Sequence, residues 1–331
     1  MAALAEANTG HALAYGDDRW TRETEDHIRD LFGPQASAFL VWGGTGANVM
    51  ALASMLGPAQ AVVCTNWSHI NVDETGAPER ALGAKLIDLD CPDGKLVPAQ
   101  LEEQAHAIGA VHHAQPGVVS LTQSTELGTL YSIDEIAALC DTAHRFDMSV
   151  HVDGARLANA VAALGGNRAT LRAMTVDAGV DVVTFGATKN GMMYGEAVVF
   201  LHERFAKVAP YVRKQVTQLP SKMRFVSAQF NALIHDDLWL QLADHSNQMA
   251  QRLYDATLDI DGLVYDTAPV VNSVFPHLPP EVIEPLRAWC FFWDWNVPTN
   301  QVRWMTAWDT TESDVDSFAA GVRQCLDRVS G

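Results

Sequence analysis

The chain has 331 residues, 48% hydrophobic and 19% charged, enough for a large core in one big domain with an appendage, or in two domains. A formal net charge of −18 repels polyanions, which excludes nucleic acid and anionic membrane as expected partners. Five scattered cysteines with no C-x-x-C pattern argue against a disulfide framework or zinc ribbon, and no apolar run reaches the roughly 20 residues of a membrane span. The opening MAALAEANTG lacks a basic segment followed by an apolar one, so no secretory signal is read and a cytoplasmic, reducing location is expected.

In chain order, ANVMALASMLG (47–57) reads as a helix stopping at Gly57, followed by the strand AQAVVCT (59–65). AKLIDLD (84–90) is a strand, PAQLEEQAHAIG (98–109) a helix and GVVSLTQS (117–124) a strand. SIDEIAALCDTAHRFD (132–147) is a helix with Ser132 at its N-cap and Glu135 three residues later. MSVHVD (148–153), DVVTFG (181–186) and EAVVFL (196–201) are further strands. This alternation predicts a mostly parallel sheet covered on both faces, with ligands beyond the carboxyl ends of its strands. From about Tyr211 the pattern changes. A long helical stretch (223–258) precedes short strand candidates LVYDT, VNSVFPHL, FFWDWN and VRWMTAWD, then a final helix from TESDVDSFAAGV, so an α+β unit closes the chain.

Three loops carry the chemistry. In VWGGTGANVMAL (41–52), Gly43, Gly44, Thr45 and Gly46 run straight into a helix, as a phosphate cradle requires; a plain tight turn has the same composition. HVDGARLANA (151–160) places Asp153 at a strand end and Arg156 three residues on, where Asp153 could also be a helix cap. VDVVTFGATKNG (180–191) ends in Lys189, which alone could be a solvated lysine in a polar turn. Pyridoxal 5'-phosphate needs a phosphate cradle, an anion at its pyridine nitrogen and a lysine for a Schiff base, and the three loops offer these in that chain order.

HVDGARLANA together with FGATKNG resembles the L-threonine aldolase family, in the low-specificity bacterial branch of the β-eliminating lyases among fold-type I pyridoxal-phosphate enzymes. YGDD (15–18), GGTGAN (43–48), SHINVDETGAPE (68–79), SLTQSTELGTLYS (120–132), SKMRF (221–225) and VRWMTAWDTT (302–311) extend the resemblance over nearly the whole chain, in order. It implies an α/β fold of the aspartate aminotransferase-like type. The large pyridoxal-phosphate domain, with a mostly parallel seven-stranded sheet, would span 1–220, and a small α+β domain 221–331. It implies retro-aldol cleavage of L-threonine or L-allo-threonine, and of β-hydroxy-α-amino acids generally, to glycine and an aldehyde. A β-eliminating lyase, a phenylserine-type aldolase and an impaired or non-catalytic homologue are the other readings.

The same resemblance implies roles. Lys189 would carry the cofactor, Asp153 pair with its pyridine nitrogen, and Gly44, Thr45 and Gly46 hold its phosphate. His69 would stack on the ring with Glu74 near it, and Arg156 would lie beside the phenolic oxygen and the substrate carboxylate. Arg303 would grip that carboxylate, Tyr15 (from this or a neighbouring subunit), Glu74 and Gln123 would line the substrate site, and Lys214 and Arg224 would lie near the cofactor or a subunit interface. A homodimer or homotetramer is implied, and no metal; His112 and His113, with only Gln115 nearby, read as a surface loop. The tryptophans at 289, 293, 295, 304 and 308 read as core or subunit interface rather than a sugar platform.

Two departures from the family pattern stand out. Where many relatives carry a histidine after the third parallel strand, this chain has Gln123 and Ser124, neither a competent base near neutral pH. The base is then His69, an ordered water or a group the sequence hides. Relatives also begin with an extra N-terminal arm; this sequence opens beyond it, through either a late start or a true absence, and a true absence would weaken binding of the substrate carboxylate.

Overall fold

A computed structural model describes residues 1–217 and 219–330. Seven strands, β1 (Ser37–Val41), β2 (Gln60–Thr65), β3 (Lys85–Leu89), β4 (Gln115–Thr122), β5 (Ser149–Gly154), β6 (Val182–Gly186) and β7 (Glu196–Phe200), form one sheet. Their order is β1-β7-β6-β5-β4-β2-β3. Only β7 runs against its neighbours; the pairs among β2 to β6 are parallel. The mostly parallel, seven-stranded α/β sheet expected of the fold is present.

Strand alternation explains why the runs are apolar throughout. Val62, Val118, Val182 and Val198 pack on one face under the helix Gly44–Met55 and its neighbours. Val63, Val119, Val183 and Val199 point the other way, toward the helices Arg19–Phe32, Ile133–Arg145 and Leu157–Leu164. A sheet buried on both faces needs apolar side chains at odd and even positions alike. The helix starts follow their capping residues: Asp18 accepts from the Thr21 amide at 2.9 Å, and Ser132 and Glu135 form the anticipated capping box.

The long helical stretch is broken. Asp236 and Asp237 adopt φ of +52° and +55°, dividing it into helices Arg224–Ile234 and Leu238–Thr257. Aspartate tolerates this left-handed conformation better than most residues, and two in succession end the helical path. The first of these helices lies past residue 220 yet packs in the large core through Val226, Phe230 and Leu233.

Beyond them, β8 (Val264–Tyr265), β9 (Ser273–Val274), β10 (Pro276–His277), β11 (Trp293–Asn296) and β12 (Gln301–Met305) make a second, antiparallel sheet. Its core joins Val274, Val302 and Trp304 to Leu253 of the preceding helix and to Val315, Val322 and Leu326 of the helix Glu312–Ser330. The helix Pro280–Trp289 between β10 and β11 is absent from the sequence reading, because Pro285 in its interior disguises the helical pattern. Trp67, just after β2, stacks on Trp295 with ring centroids 6.4 Å apart, and Gly128 lies close against the Phe275 ring. Loops at the carboxyl edge of the large sheet thus seat the small one. No helix among the described residues is long and apolar enough to cross a membrane.

Candidate active site

The strand directions gather the chemistry at one edge. β2, β4, β5 and β6 all end there, β1 ends there at Val41, and the antiparallel β7 begins there, with Glu196 opposite Gly186 and Val41. The loops leaving this edge carry Gly43–Gly46, His69, Glu126, Arg156 and Lys189. Gly43 caps the helix Gly44–Met55 without any side-chain hydrogen bond, so the first-turn amides have no side-chain partner there. A Cβ on Gly43 or Gly44 would meet nothing within 4 Å, so the backbone faces open space; Thr45 is exposed beside it. A helix of 12 residues with a bare, accessible amino end suits an anion.

Asp153 is 4% exposed and held from two sides, by the Asn48 amide at 2.8 Å and the Ala155 N–H at 3.0 Å. The same Asn48 nitrogen donates to Glu74 Oε1 at 2.9 Å, and Glu74 Oε1 also bonds His69 Nδ1 at 3.0 Å. A continuous relay of hydrogen bonds therefore runs from Asp153 through Asn48 and Glu74 to His69. The Glu74 bond is the main reason the His69 pKa is raised, against the opposing effect of burial. Glu74 works behind His69 with a fully buried side chain, its Oε2 without a hydrogen-bond partner. His151 of the same motif is a core residue: it bonds Ser120 Oγ at 3.0 Å, and burial lowers its pKa to about 4.

The glycines of DGAR and FGAT answer to close packing. A Cβ on Gly154 would collide with the Thr184 carbonyl, and one on Gly186 with the Ala155 backbone. Only glycine lets the ends of β5 and β6 approach this closely, which keeps Asp153 and Lys189 on neighbouring loops.

Lys189 sits in the 3-10 turn Thr188–Asn190 and remains solvent-accessible, yet protein crowds it on several sides. Burial first, and the Arg156 charge second, lower its pKa, while Asp153 and Glu196 oppose the fall. Arg156 is lowered to about 10 by burial and then by the Arg303 charge, so the two guanidiniums lie within electrostatic reach of each other. Arg303 projects from β12 opposite Trp293, and its guanidinium lies 4.4 Å from the centre of the Trp295 ring. Its Nε is buried with no hydrogen-bond partner, a donor left for a ligand. Lys189, Asp153, Arg156, His69 and Arg303 therefore share one crevice, as their electrostatic coupling requires.

One expectation is corrected. Gln123 is 1% exposed, and its amide is fully engaged by the backbone of Tyr131, donating to the carbonyl at 2.9 Å and accepting from the N–H at 3.1 Å. It braces the loop after β4 and does not face the crevice. Tyr15 is 52% exposed at φ +63°, its N–H bonded to the Ser221 carbonyl and its ring 5.3 Å from Lys214 Nζ. Arg224 packs over Phe225 and donates to the Gly10 carbonyl, tying down the N-terminal segment.

Sequence reasoning missed two buried carboxyls. Glu126, in the loop after β4, accepts from the His69 N–H at 2.7 Å and the Thr122 hydroxyl at 2.9 Å; burial and then Asp153 raise its pKa to about 7. Glu196 at the start of β7 accepts from the Ala187 N–H at 2.6 Å, and burial raises it to about 7 as well. Glu196 pins the loop that carries Lys189. The available signal was a glutamate beside an apolar strand end, in TQSTE and GEAVVF.

The sequence pattern of the beta-eliminating lyases matches residues 1–278. The chain belongs to the beta-eliminating lyase family. Within it, the chain is 40% identical to the low specificity L-threonine aldolase of a Pseudomonas species, over 98% of this chain and 93% of that one. To the enzyme of the same name from Pseudomonas aeruginosa it is 41% identical, over 97% and 92%. The solved structure of Leishmania major threonine aldolase superposes with a TM-score of 0.91 at 30% identity, covering 98% of this chain and 94% of that one. For a beta-eliminating lyase the crevice is suitably furnished for pyridoxal phosphate: a bare helix terminus for its phosphate, a buried carboxylate for its ring nitrogen and a lysine of depressed pKa.

Proposed function

We propose that this lyase cleaves L-threonine and L-allo-threonine between Cα and Cβ to give glycine and acetaldehyde, using pyridoxal phosphate carried on Lys189. The observation that carries the reading is near-full-length similarity to low-specificity L-threonine aldolases, joined to a crevice in which Lys189, Asp153 and two arginines meet. The cofactor supplies the electron sink that accepts the bonding pair of the cleaved Cα–Cβ bond.

The residues of the chain do the rest. The amides of Gly44, Thr45 and Gly46 and the Thr45 hydroxyl bind the phosphate at the positive end of their helix. Asp153 holds a proton on the ring nitrogen, and Asn48 and the Ala155 N–H fix the angle of its carboxylate. His69, steadied by Glu74, covers the ring. Arg303 and Arg156 grip the substrate carboxylate from two sides, and the Trp295 ring presets the Arg303 fork. A carboxylate fixed in this way orients the Cα–Cβ bond for cleavage, which is how binding selects one reaction from the several the cofactor permits.

A second copy of the chain completes the assembly as a homodimer or homotetramer. The exposed face by the glycine loop supports this: Trp42, 50% exposed, stacks on Tyr194 beside Met193, which is 64% exposed. Light scattering on the purified protein tests it, a monomer being the refuting result. We divide the chain into a cofactor-binding and a smaller domain; the separate core around Val302 and Trp304 supports the second, while the helix Arg224–Ile234 past residue 220 packs with the first. A cytoplasmic location agrees with five free cysteines among the described residues.

The decisive experiment adds pyridoxal phosphate and then L-threonine to the wild type and to Lys189→Ala. The reading requires a visible cofactor band missing from the variant, with glycine and acetaldehyde formed only by the wild type. 2-Oxobutanoate and ammonia in their place would show β-elimination and refute it.

A further inference from the structure

The loop after β4 lacks a histidine, and its two nearest polar side chains are unfit for proton transfer. Gln123 is locked to Tyr131, and the Ser124 hydroxyl is buried without a partner. His69 is a poor replacement as a base, since its bond to Glu74 favours the protonated ring. Two residues past Ser124 the chain turns Glu126 back toward the crevice. One of its oxygens, Oε1, takes both the His69 N–H and the Thr122 hydroxyl, while Oε2 is buried with no hydrogen-bond partner. A buried, unpaired carboxyl oxygen is costly, and such atoms persist where a ligand or a reaction uses them.

We infer that Glu126 is the group that accepts the proton of the substrate's β-hydroxyl as the Cα–Cβ bond breaks; the inference rests on the aldolase reading above. The O–H bond of the substrate breaks and an O–H bond on Glu126 forms. The freed electron pair becomes the second bond of the aldehyde carbonyl, and the Cα–Cβ pair passes to the cofactor's electron sink. Glycine needs one proton at Cα, which solvent supplies, and Glu126 returns the proton it gained to solvent, so no further reactant is required.

Position and electrostatics agree with this role. Glu126 lies within electrostatic reach of Arg156 and Arg303, the two groups that would hold the carboxylate of the same small substrate. The other titratable groups around it are Asp153 from β5, His69, Cys64 from β2, and Tyr131. Burial and the Asp153 charge together place its titration at about 7, where a carboxyl can both take and release a proton near neutral pH.

The test is Glu126→Gln in the cofactor-loaded enzyme. Glutamine keeps the acceptor for the His69 N–H and the Thr122 hydroxyl but cannot take a proton. Threonine cleavage is expected to fall about 100-fold, and the acid limb of the wild-type kcat profile near pH 7 to disappear. Exchange of the glycine α-proton into D2O uses the cofactor and the arginines but no β-hydroxyl, and is expected to stay within about twofold of wild type by the same argument. Infrared difference spectra of the loaded, substrate-free enzyme should lose one carboxyl titrating near 7 in the variant and retain that of Glu196. Cleavage within about threefold of wild type, or equal loss of cleavage and exchange, overturns the inference, the latter marking Glu126 as a support for His69 alone. A wild type that exchanges glycine but leaves threonine intact would overturn the aldolase reading, and this inference with it.

Discussion

Asn48 joins two buried carboxylates, and removing it should damage both stability and cofactor binding. Its Nδ2 donates to Asp153 Oδ2 at 2.8 Å and to Glu74 Oε1 at 2.9 Å, while its oxygen accepts from the Thr184 hydroxyl at 3.3 Å. In Asn48→Ala, each carboxylate loses a charge-assisted bond of about 1.5–3 kcal/mol. Thr184 retains the Val152 carbonyl at 3.4 Å, so its loss is small. Asp153 keeps the Ala155 N–H and Glu74 keeps His69, which puts the expected destabilisation near the lower end, about 3 kcal/mol for the pair. Urea unfolding at pH 8 without added cofactor measures it. Asp153 would also lose the side-chain donor that sets its angle, so cofactor Kd should rise at least about tenfold, the equivalent of 1.4 kcal/mol. The double variant Asn48→Ala/Glu74→Ala should cost less than the sum of the two singles, because both remove the same bond. A single variant within about 0.5 kcal/mol of wild type, with unchanged Kd, would refute the bridge as a structural element.

Two other substitutions test the framing of the crevice. Gly154→Ala forces a methyl group against the Thr184 carbonyl, so the variant should lose about 1–3 kcal/mol and bind pyridoxal phosphate more weakly; wild-type thermal stability would show that β5 and β6 have room to part. Glu196→Gln probes a carboxyl whose folded-state pKa, about 7, lies above its ordinary 4.5: wild type folds with a proton the unfolded chain lacks between those values, so this group opposes folding increasingly up to pH 7 and fully above it. The glutamine variant should therefore gain on wild type as pH rises from 5 to 8, by up to about 3 kcal/mol in urea titrations, and a gap that stays constant with pH would refute the assignment.

Much of this site was legible because its key residues lie next to strands and glycines. Asp153 and Lys189 follow strongly apolar runs, and Gly43 to Gly46 precede an apolar helix, so local pattern alone puts them on one edge. Arg303 was legible only by resemblance, since its place depends on a small sheet of two- to five-residue strands and on stacking between Trp67 and Trp295. Glu126, Glu196 and Asn48 were missed for one physical reason. A buried polar side chain is defined by partners distant in sequence, here His69, Ala187, Glu74 and Asp153, and no local period announces them. The resemblance placed Gln123 and Glu74 at the substrate, and a matching motif does not fix which way a side chain turns. The first braces Tyr131 and the second backs His69. The helix break at Asp236 was hidden by flanking apolar periodicity that runs through it nearly in phase.

Net charge and local charge part company in this protein, and the difference explains how an enzyme of charge −18 can bind anions. Both ligands bring negative groups, a phosphate and a carboxylate, into a strongly acidic molecule. At the crevice, however, Arg156, Arg303 and Lys189 are brought together, and the pKa values of Arg156 and Lys189 are depressed partly by a neighbouring cation. That mutual repulsion is unfavourable in the empty pocket and is relieved when a carboxylate enters between the arginines, so part of the binding free energy is already stored in the fold. The carboxyls that share the site do not cancel this effect. Asp153 accepts from Asn48 and the Ala155 N–H, Glu74 is directed at His69, and Glu126 and Glu196, each raised to about 7, carry only part of a charge near neutrality. The crevice thereby sets its cations beside carboxyls that can exchange protons. Replacing Arg303 by lysine would retain the charge yet lose the planar fork set on Trp295, and the loss should fall on kcat/KM for substrate more than on cofactor affinity, because only the substrate carboxylate needs two parallel donors.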